Sequence, residues 1–303
     1  MKRLLILLLV CYTLIAKGQI DPKIYPKPEK TVFKELNELK GNITQIDTFS
    51  YSLKEPRSFD IFLPKEYHSD SIYDLVLVTD NEALNLALML EDSMNNKKIN
   101  PFIIVSIHNR NKQPIDSIFG DFIFDSRSAE MIDWANFYKL DENGYPSEST
   151  DTTGMKNVDS VMLEIVSNRR QNYNSWIIDE VIAYMESNFK LTKKDNWTIG
   201  GYSNGAAYAV HLSSLYPNMF KNIIIMSYGG SRNEVDLPSN QFGLNYFLCA
   251  GIEESFHTST LSLAKKLQIQ KTNFIHKTYQ TSHDHNMWDL FYRESLTKIY
   301  LSK

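Results

Sequence analysis

Asn196-Trp-Thr-Ile-Gly-Gly-Tyr-Ser-Asn-Gly-Ala-Ala-Tyr208 is the stretch on which the reading of the fold turns. Within it, Gly201-Tyr202-Ser203-Asn204-Gly205 has the Gly-x-Ser-x-Gly pattern of a nucleophile elbow. A short apolar, β-prone run leads in, and a helical pattern from Ala206 to Leu215 leads out. On a sharp strand-to-helix turn, a serine hydroxyl projects from the fold beside the first N–H groups of the helix. Glycines flank the serine because side chains there would collide with the neighbouring strand and helix, and because the turn is strained. An ordinary Gly-rich β–α turn has the same local pattern, so the rest of the chain must supply the serine's partners.

Outward from the elbow, the chain alternates between strands and helices. Strands are predicted at Thr48–Ser52, Phe59–Leu63, Asp74–Thr79, Phe102–Ile107, Thr198–Tyr202, Ile223–Ser227, Tyr246–Ala250 and Phe274–Tyr279. The later runs are continuously apolar, as expected of strands covered on both faces. Helical patterns lie at Ala83–Glu91, Trp176–Phe189, Asn204–Leu215, Thr260–Ile269 and Met287–Leu301. Trp176, Ile177, Val181, Tyr184 and Met185 fall on one helix face. The fold class is α/β: a mostly parallel central sheet with right-handed crossovers and helices on both faces. The two early strands, joined around Glu55-Pro56, predict an antiparallel start.

A long insertion, about residues 120–173, precedes the strand that carries the serine. Connections of this length usually serve function or move. Its Trp134, Phe137, Tyr138 and Tyr145 either line a substrate pocket or pack the excursion onto the body. Trp134 and Tyr138, with Tyr202 and Trp288, are the candidate substrate contacts.

The first residues read as a targeting segment. Lys2-Arg3, the apolar run Leu4–Ile15 and the small-x-small Ala16-Lys17-Gly18 predict a signal peptide over 1–18 and export to the periplasm or medium. The run is short for a bilayer, so no stable membrane span is expected. Val10 stands before Cys11 where a lipoprotein would carry a small residue, which argues against lipidation. Residues 19–45 read as an N-terminal extension and 46–303 as the catalytic-type domain. Removal of the signal leaves Cys249 without a disulfide partner, and its apolar run marks it as a small buried hydrophobe. A net charge of −4, with basic residues scattered, sets nucleic-acid binding aside.

A serine hydroxyl needs an imidazole to take its proton and a carboxylate to orient that imidazole. Strand-end loops beyond the elbow offer both, in the order serine, acid, histidine. Gly251-Ile-Glu253-Glu254 follows one strand, and Thr281-Ser-His283-Asp284-His285-Asn-Met-Trp288 follows the last. Spacing from the strand ends favours Glu254 over Glu253 and His283 over His285. His283 and His285 lack a third ligand at metal spacing, so no metal or other cofactor is expected. For the oxyanion, one donor is the backbone N–H of Asn204, and the other should come from Asp80-Asn81-Glu82.

These motifs together resemble the putative esterase family of α/β-hydrolases, which includes enterochelin-esterase-like and feruloyl-esterase-like enzymes. Arg57-Ser-Phe-Asp-Ile-Phe-Leu-Pro-Lys-Glu-Tyr67 resembles its R-x-x-x-V-Y-L-P-x-x-Y entry strand. Phe102-Ile-Ile-Val-Ser-Ile-His-Asn-Arg-Asn111 resembles its strand ending in G-I-x-N-x-x-R. Gly251–Glu254 resembles its acid loop, and Ser282-His-Asp-His-Asn-Met-Trp288 its G-H-D-x-x-x-W segment. The resemblance implies an α/β-hydrolase fold with a Ser203–Glu254–His283 triad, acting on a small-molecule or glycan-linked ester. Asn81 contributes the second oxyanion donor in this reading. Three features depart from the pattern: Asp80-Asn81-Glu82 replaces D-G-x, Ser282 replaces a glycine, and the insertion has no counterpart. The competing reading is a non-catalytic binding protein on the same scaffold.

Overall fold

In the computed structural model, the described residues are 25–80, 82–109, 126–133, 160–230, 237 and 243–302. The signal segment, Asn81, Trp134, Phe137, Tyr138 and Tyr145 lie outside them. The strands are β1 (Asn42–Ser50), β2 (Glu55–Leu63), β3 (Asp74–Val78), β4 (Phe102–Ile107), β5 (Trp197–Tyr202), β6 (Phe220–Met226), β7 (Asn245–Gly251) and β8 (Asn273–Tyr279). They form one sheet in the order β1-β2-β4-β3-β5-β6-β7-β8. β1 and β2 pair antiparallel, as do β2 and β4, and every later pair is parallel.

Successive side chains along these strands enter two different cores. Leu75, Leu77, Ile103, Val105, Ile223 and Ile225 join one cluster. Val76, Val78, Ile104, Ile224 and Met226 join the other. Burial on both faces is why these segments read as unbroken apolar runs.

The helices are α1 (Ala83–Asn95), α2 (Ser126–Met131), α3 (Ser160–Ser175), α4 (Asn204–Leu215), α5 (His257–Ile269) and α6 (His285–Ile299). α3 runs on through a π-helical stretch, Trp176–Ile182, into Ala183–Asn188. α1 and α6 cover one face, through Leu86, Leu90, Phe291 and Leu296. α3 and α4 cover the other, with α5 beside them.

Three expectations shift. Glu55 and Pro56, read as the first turn, already pair in β2, and the chain reverses before them, with Lys54 at φ 57°. Glu180 holds this turn by accepting from Ser50 Oγ and from the N–H groups of Tyr51 and Ser52. β1 begins at Asn42, inside the segment read as an extension. Just before it, the buried Glu91 carboxylate accepts from Lys34 and from the N–H groups of Lys40 and Gly41. A side chain at Gly41 would meet Leu63 O and Phe62 Cε2, both 2.6 Å away.

The third shift concerns the insertion. α2 and the first turns of α3 are helices that no apolar pattern announced, and ion pairs hold them to the sheet. Arg57 on β2 binds Glu55 and the fully buried Glu130 of α2, and Arg169 of α3 reaches the same two carboxylates. The Arg57 guanidinium also lies 5.0 Å from the Trp176 ring centre. Burial raises the Glu130 pKa, against the opposing pull of Arg57 and Arg169.

Candidate active site

β5 to β8 lie side by side and parallel, so the residues at their C-terminal ends share one edge. Ser203 follows β5, Ser227 follows β6, Glu254 lies beyond β7 and His283 beyond β8. Adjacent parallel strands thus place residues distant in sequence beside one another.

Ser203 caps α4 with φ 55° and ψ −124°, a conformation outside the helix and strand regions. Four backbone hydrogen bonds hold it there. Its N–H donates to Met226 O at 2.9 Å, and its carbonyl accepts from Ala206, Ala207 and Gly229. A side chain on Gly201 would overlap Thr79 Oγ1 and the Gly205 backbone, and one on Gly205 would overlap Thr79 Oγ1 and Asp80 Oδ2. Asn204 is the first residue of α4, so its N–H has no acceptor within the helix.

Glu254 Oε2 lies 2.5 Å from His283 Nδ1. The Glu254 side chain is 1% exposed and that of His283 is 37% exposed, which leaves a carboxylate in the interior behind a ring that reaches solvent. Oε1 of Glu254 accepts from Gly251 N–H at 2.7 Å and from Ser227 Oγ at 2.8 Å. Both carboxylate oxygens therefore have partners, which fixes the plane of the group. No hydrogen bond joins Ser203 Oγ to His283 among the described residues. Glu253 is exposed, and its N–H donates to Thr281 O. His285 opens α6 and stacks edge-on against Tyr202 and Trp288.

Ser227 has no marked pattern around it in the sequence. It is fully buried at φ 52°, donates to Glu254 and accepts from Trp288 Nε1 at 2.8 Å. Trp288 accordingly does not form an open substrate wall. It is 3% exposed, packs against the His283 ring at 4.6 Å and stacks on Tyr202 at 4.1 Å. It is one of the candidate substrate contacts of the sequence, and its place in the first turns of α6 turns it inward. Tyr202 is half-buried and donates its hydroxyl to Glu82 Oε1 at 3.0 Å. Burial is the main cause of the raised Glu82 pKa.

The strand opposite the elbow ends in a tightly held turn. Asp80 Oδ1 accepts from Asn109 Nδ2 at 2.6 Å and from Arg127 of α2 at 2.8 and 3.0 Å. Ser106 Oγ donates to Asp80 O and accepts from Glu82 N–H, so the backbone on both sides of Asn81 is fixed. Arg127 links this turn to the insertion.

Outside this edge, His68 is exposed and His108 Nε2 lies 2.8 Å from Asp60 Oδ2. His211 shares a hydrogen bond with Asn174, and burial pushes its pKa down to about 3. Cys249 is fully buried in β7, and burial pushes its thiol pKa well up. Among the described residues, no group of three His, Cys, Asp or Glu is placed to hold a metal ion.

A mostly parallel sheet, a serine at a strained strand-to-helix turn, and a carboxylate–imidazole pair beyond the next strands define the α/β-hydrolase fold. A family model described as "Putative esterase" matches residues 165–294, the segment that holds Ser203, Glu254 and His283. The elbow, the acid loop and the histidine segment of the resemblance fall within that match, and the motifs at 57–67 and 102–111 lie outside it. Comparison with curated proteins gives no match. Among solved structures, a ferulic acid esterase from Anaeromyces mucronatus, in complex with ferulic acid, superposes with a TM-score of 0.60. It is 13% identical, over 93% of this chain and 97% of that one. The BES protein from Bacillus cereus gives 0.59 at 18% identity, over 89% and 99%. The enterobactin esterase from Shigella flexneri gives 0.58 at 16% identity, over 91% of this chain and 60% of that chain. At these identities the likeness is one of fold.

Proposed function

We propose that this protein is an exported serine esterase that cleaves carboxylic esters through an acyl-enzyme on Ser203. The observation that carries the proposal is the buried Glu254 carboxylate 2.5 Å from His283 Nδ1, one loop across from a serine at φ 55°. Glu254 fixes the tautomer, with the proton on Nδ1, so Nε2 is the free base. Ser203 Oγ attacks the acyl carbon as Nε2 takes its proton. The N–H groups of Asn204 and Asn81 receive the oxyanion. The C–O bond to the alcohol then breaks as the imidazolium returns the proton to the leaving oxygen. Water repeats the sequence on the acyl-serine and releases the acid. His283 and Ser203 are not yet hydrogen-bonded, and such contacts often tighten only with substrate in place.

The substrate is a small-molecule or glycan-linked ester. Support comes from the family match and from the esterases that share the fold. Export rests on the segment Lys2–Gly18.

The missing Ser203–His283 hydrogen bond also favours a second reading, a binding protein that keeps the scaffold without the chemistry. Labelling with a fluorophosphonate probe separates the two. The esterase reading expects covalent modification that Ser203→Ala abolishes. Unlabelled folded protein, or equal labelling of the variant, would overturn it.

A further inference from the structure

The edge of the sheet opposite Ser203 holds a cavity of about 960 Å³. It lies at the N-terminal ends of β5 to β8, between the C-terminal ends of α5 and α6. β5 spans six residues, so about 20 Å of strand separates this cavity from the elbow.

Its polar wall is built in register. Asn222, Asn245 and Asn273 are direct partners across β6, β7 and β8, and Thr198 of β5 aligns with Asn222. Side chains at partnered positions of parallel strands share a face. Here they form a directed chain: Asn245 Nδ2 donates to Asn222 Oδ1 at 3.0 Å, and Asn222 Nδ2 donates to Thr198 Oγ1 at 3.3 Å. Thr198 in turn shares a 2.8 Å hydrogen bond with the Tyr300 hydroxyl. Every donor points toward β5. At the β8 end this leaves Asn245 Oδ1 and the whole amide of the exposed Asn273 without a protein partner among the described residues. The row ends open inside the cavity.

The charge lining the cavity is one-sided. Lys221 on β6, Lys271 after α5 and Lys298 on α6 come from three separate elements. None has an ion-pair partner among the described residues. The only carboxylate among the described lining residues is Asp74, which accepts from Thr192 at 2.6 Å. Amides that both donate and accept match hydroxyl groups, and unpaired ammonium groups match an anion. The volume falls within the usual range for small-molecule sites.

We infer that this cavity is a binding site for a hydroxylated anion, a sugar ring or similar polyol carrying a carboxylate or a phosphate. The site is separate from Ser203, and its occupancy does not depend on the esterase reading. Calorimetric titration of the full chain tests it, using glucuronate, glucose 6-phosphate, glucose and inorganic phosphate. The two sugar acids distinguish a carboxylate from a phosphate ligand. At least one should bind saturably, about tenfold or more tighter than glucose or phosphate alone. Lys221→Gln with Lys298→Gln should weaken that binding about tenfold, as should a rise in salt through a shorter screening length. Asn273→Asp, at an exposed position that tolerates change, should abolish it by setting a carboxylate in the anion's place. Turnover at Ser203 should be unchanged in both variants.

Failure of both sugar acids to bind at roughly 10 mM would overturn the inference. So would equal binding of glucose, which would remove the anion requirement. Equal binding of phosphate would mean an unspecific basic surface and would also overturn it, as would unaltered affinity in the variants.

Discussion

Replacing Ser227 by alanine should impair both folding and turnover, by separable amounts. The hydroxyl donates to the Glu254 carboxylate and accepts from the buried Trp288 N–H, each at 2.8 Å. A hydrogen bond to a charged group contributes about 1.5–3 kcal/mol, and an orphaned buried donor costs about 1–3 kcal/mol. Alanine loses the first and creates the second, so unfolding free energy should fall by about 3 kcal/mol. The backbone at φ 52° is equally strained with either residue and cancels. Glu254 keeps Gly251 N–H and His283, so its carboxylate should tilt rather than leave the site. The expected loss in kcat is about tenfold with KM unchanged, about 1.4 kcal/mol of orienting energy. Loss of the acid altogether would cost about 10⁴-fold.

Trp288→Phe is the informative partner for this experiment. It removes the N–H but leaves the Ser227 hydroxyl free to donate to Glu254, so kcat should stay within about threefold. In the double variant no orphaned N–H exists. Its destabilisation should be smaller than the sum of the singles by about 1–2 kcal/mol. Urea unfolding of the four proteins and steady-state hydrolysis of a chromogenic ester measure both quantities. Strict additivity in stability, or wild-type kcat in Ser227→Ala, would refute the reasoning.

Ser203→Gly should abolish ester turnover yet raise unfolding free energy by about 1 kcal/mol, because glycine adopts φ 55° without the Cβ penalty; a less stable variant in urea unfolding would contradict the strain argument. Gly205→Ala should destabilise by about 3 kcal/mol or more in the same assay, since its methyl would overlap Thr79 and Asp80. Asp289→Asn should stabilise progressively as pH rises above about 4. Burial, then Glu82 and Asp284, pushes the Asp289 pKa up to about 7, so the folded state holds its proton longer than the unfolded chain. Ionisation therefore erodes wild-type stability as pH rises from about 4 to about 7, by up to roughly 1.4 kcal/mol per unit. The gap between variant and wild type should be near zero at pH 4 and fully open at pH 8. An equal gap at both pH values would count against it.

The sheet was legible because both its faces are buried. Phe102–Ile107 is wholly buried, and six residues rich in β-branched side chains are too few for a buried helix but suit a central strand. β1 escaped at its start because it is an edge strand, with only Ser50 of its nine residues buried. α3 was read from Trp176 and not from Ser160 for a different reason. The first part of that helix is held by Arg169 and Arg170, through Glu55, Glu130 and Asp133, and ion pairs leave no 3.6-residue apolar period. Glu254 and His283 could be picked from their neighbours by distance from the strand ends. Trp288, a candidate substrate contact, is 3% exposed and donates to Ser227, because the sequence shows a side chain's place in a loop but not the direction in which it points. Asn81, Trp134 and Tyr138 fall outside the described residues.

Ser227 was hidden by similarity of a different kind. Its segment, Ile223–Ser227, reads as a strand to its last residue, but the strand ends at Met226. The following serine shares a positive φ with Ser203, at 52° against 55°. Glycines flank Ser203 on both sides, whereas those near Ser227 only follow it, and a side chain on Gly229 would meet the Ser203 backbone at 2.8 Å. In the proposed mechanism two strained serines at the ends of adjacent strands divide the work: Ser203 attacks, and Ser227 donates inward to Glu254, the partner of His283. Strain at a buried position is retained only where its surroundings over-determine it. Here the over-determination comes from Trp288, Glu254 and the Cys249 carbonyl, which accepts the Ser227 N–H at 2.8 Å. The chemistry proposed for Ser203 therefore depends on a second turn, marked in the sequence by one serine between an apolar run and Tyr228-Gly229-Gly230.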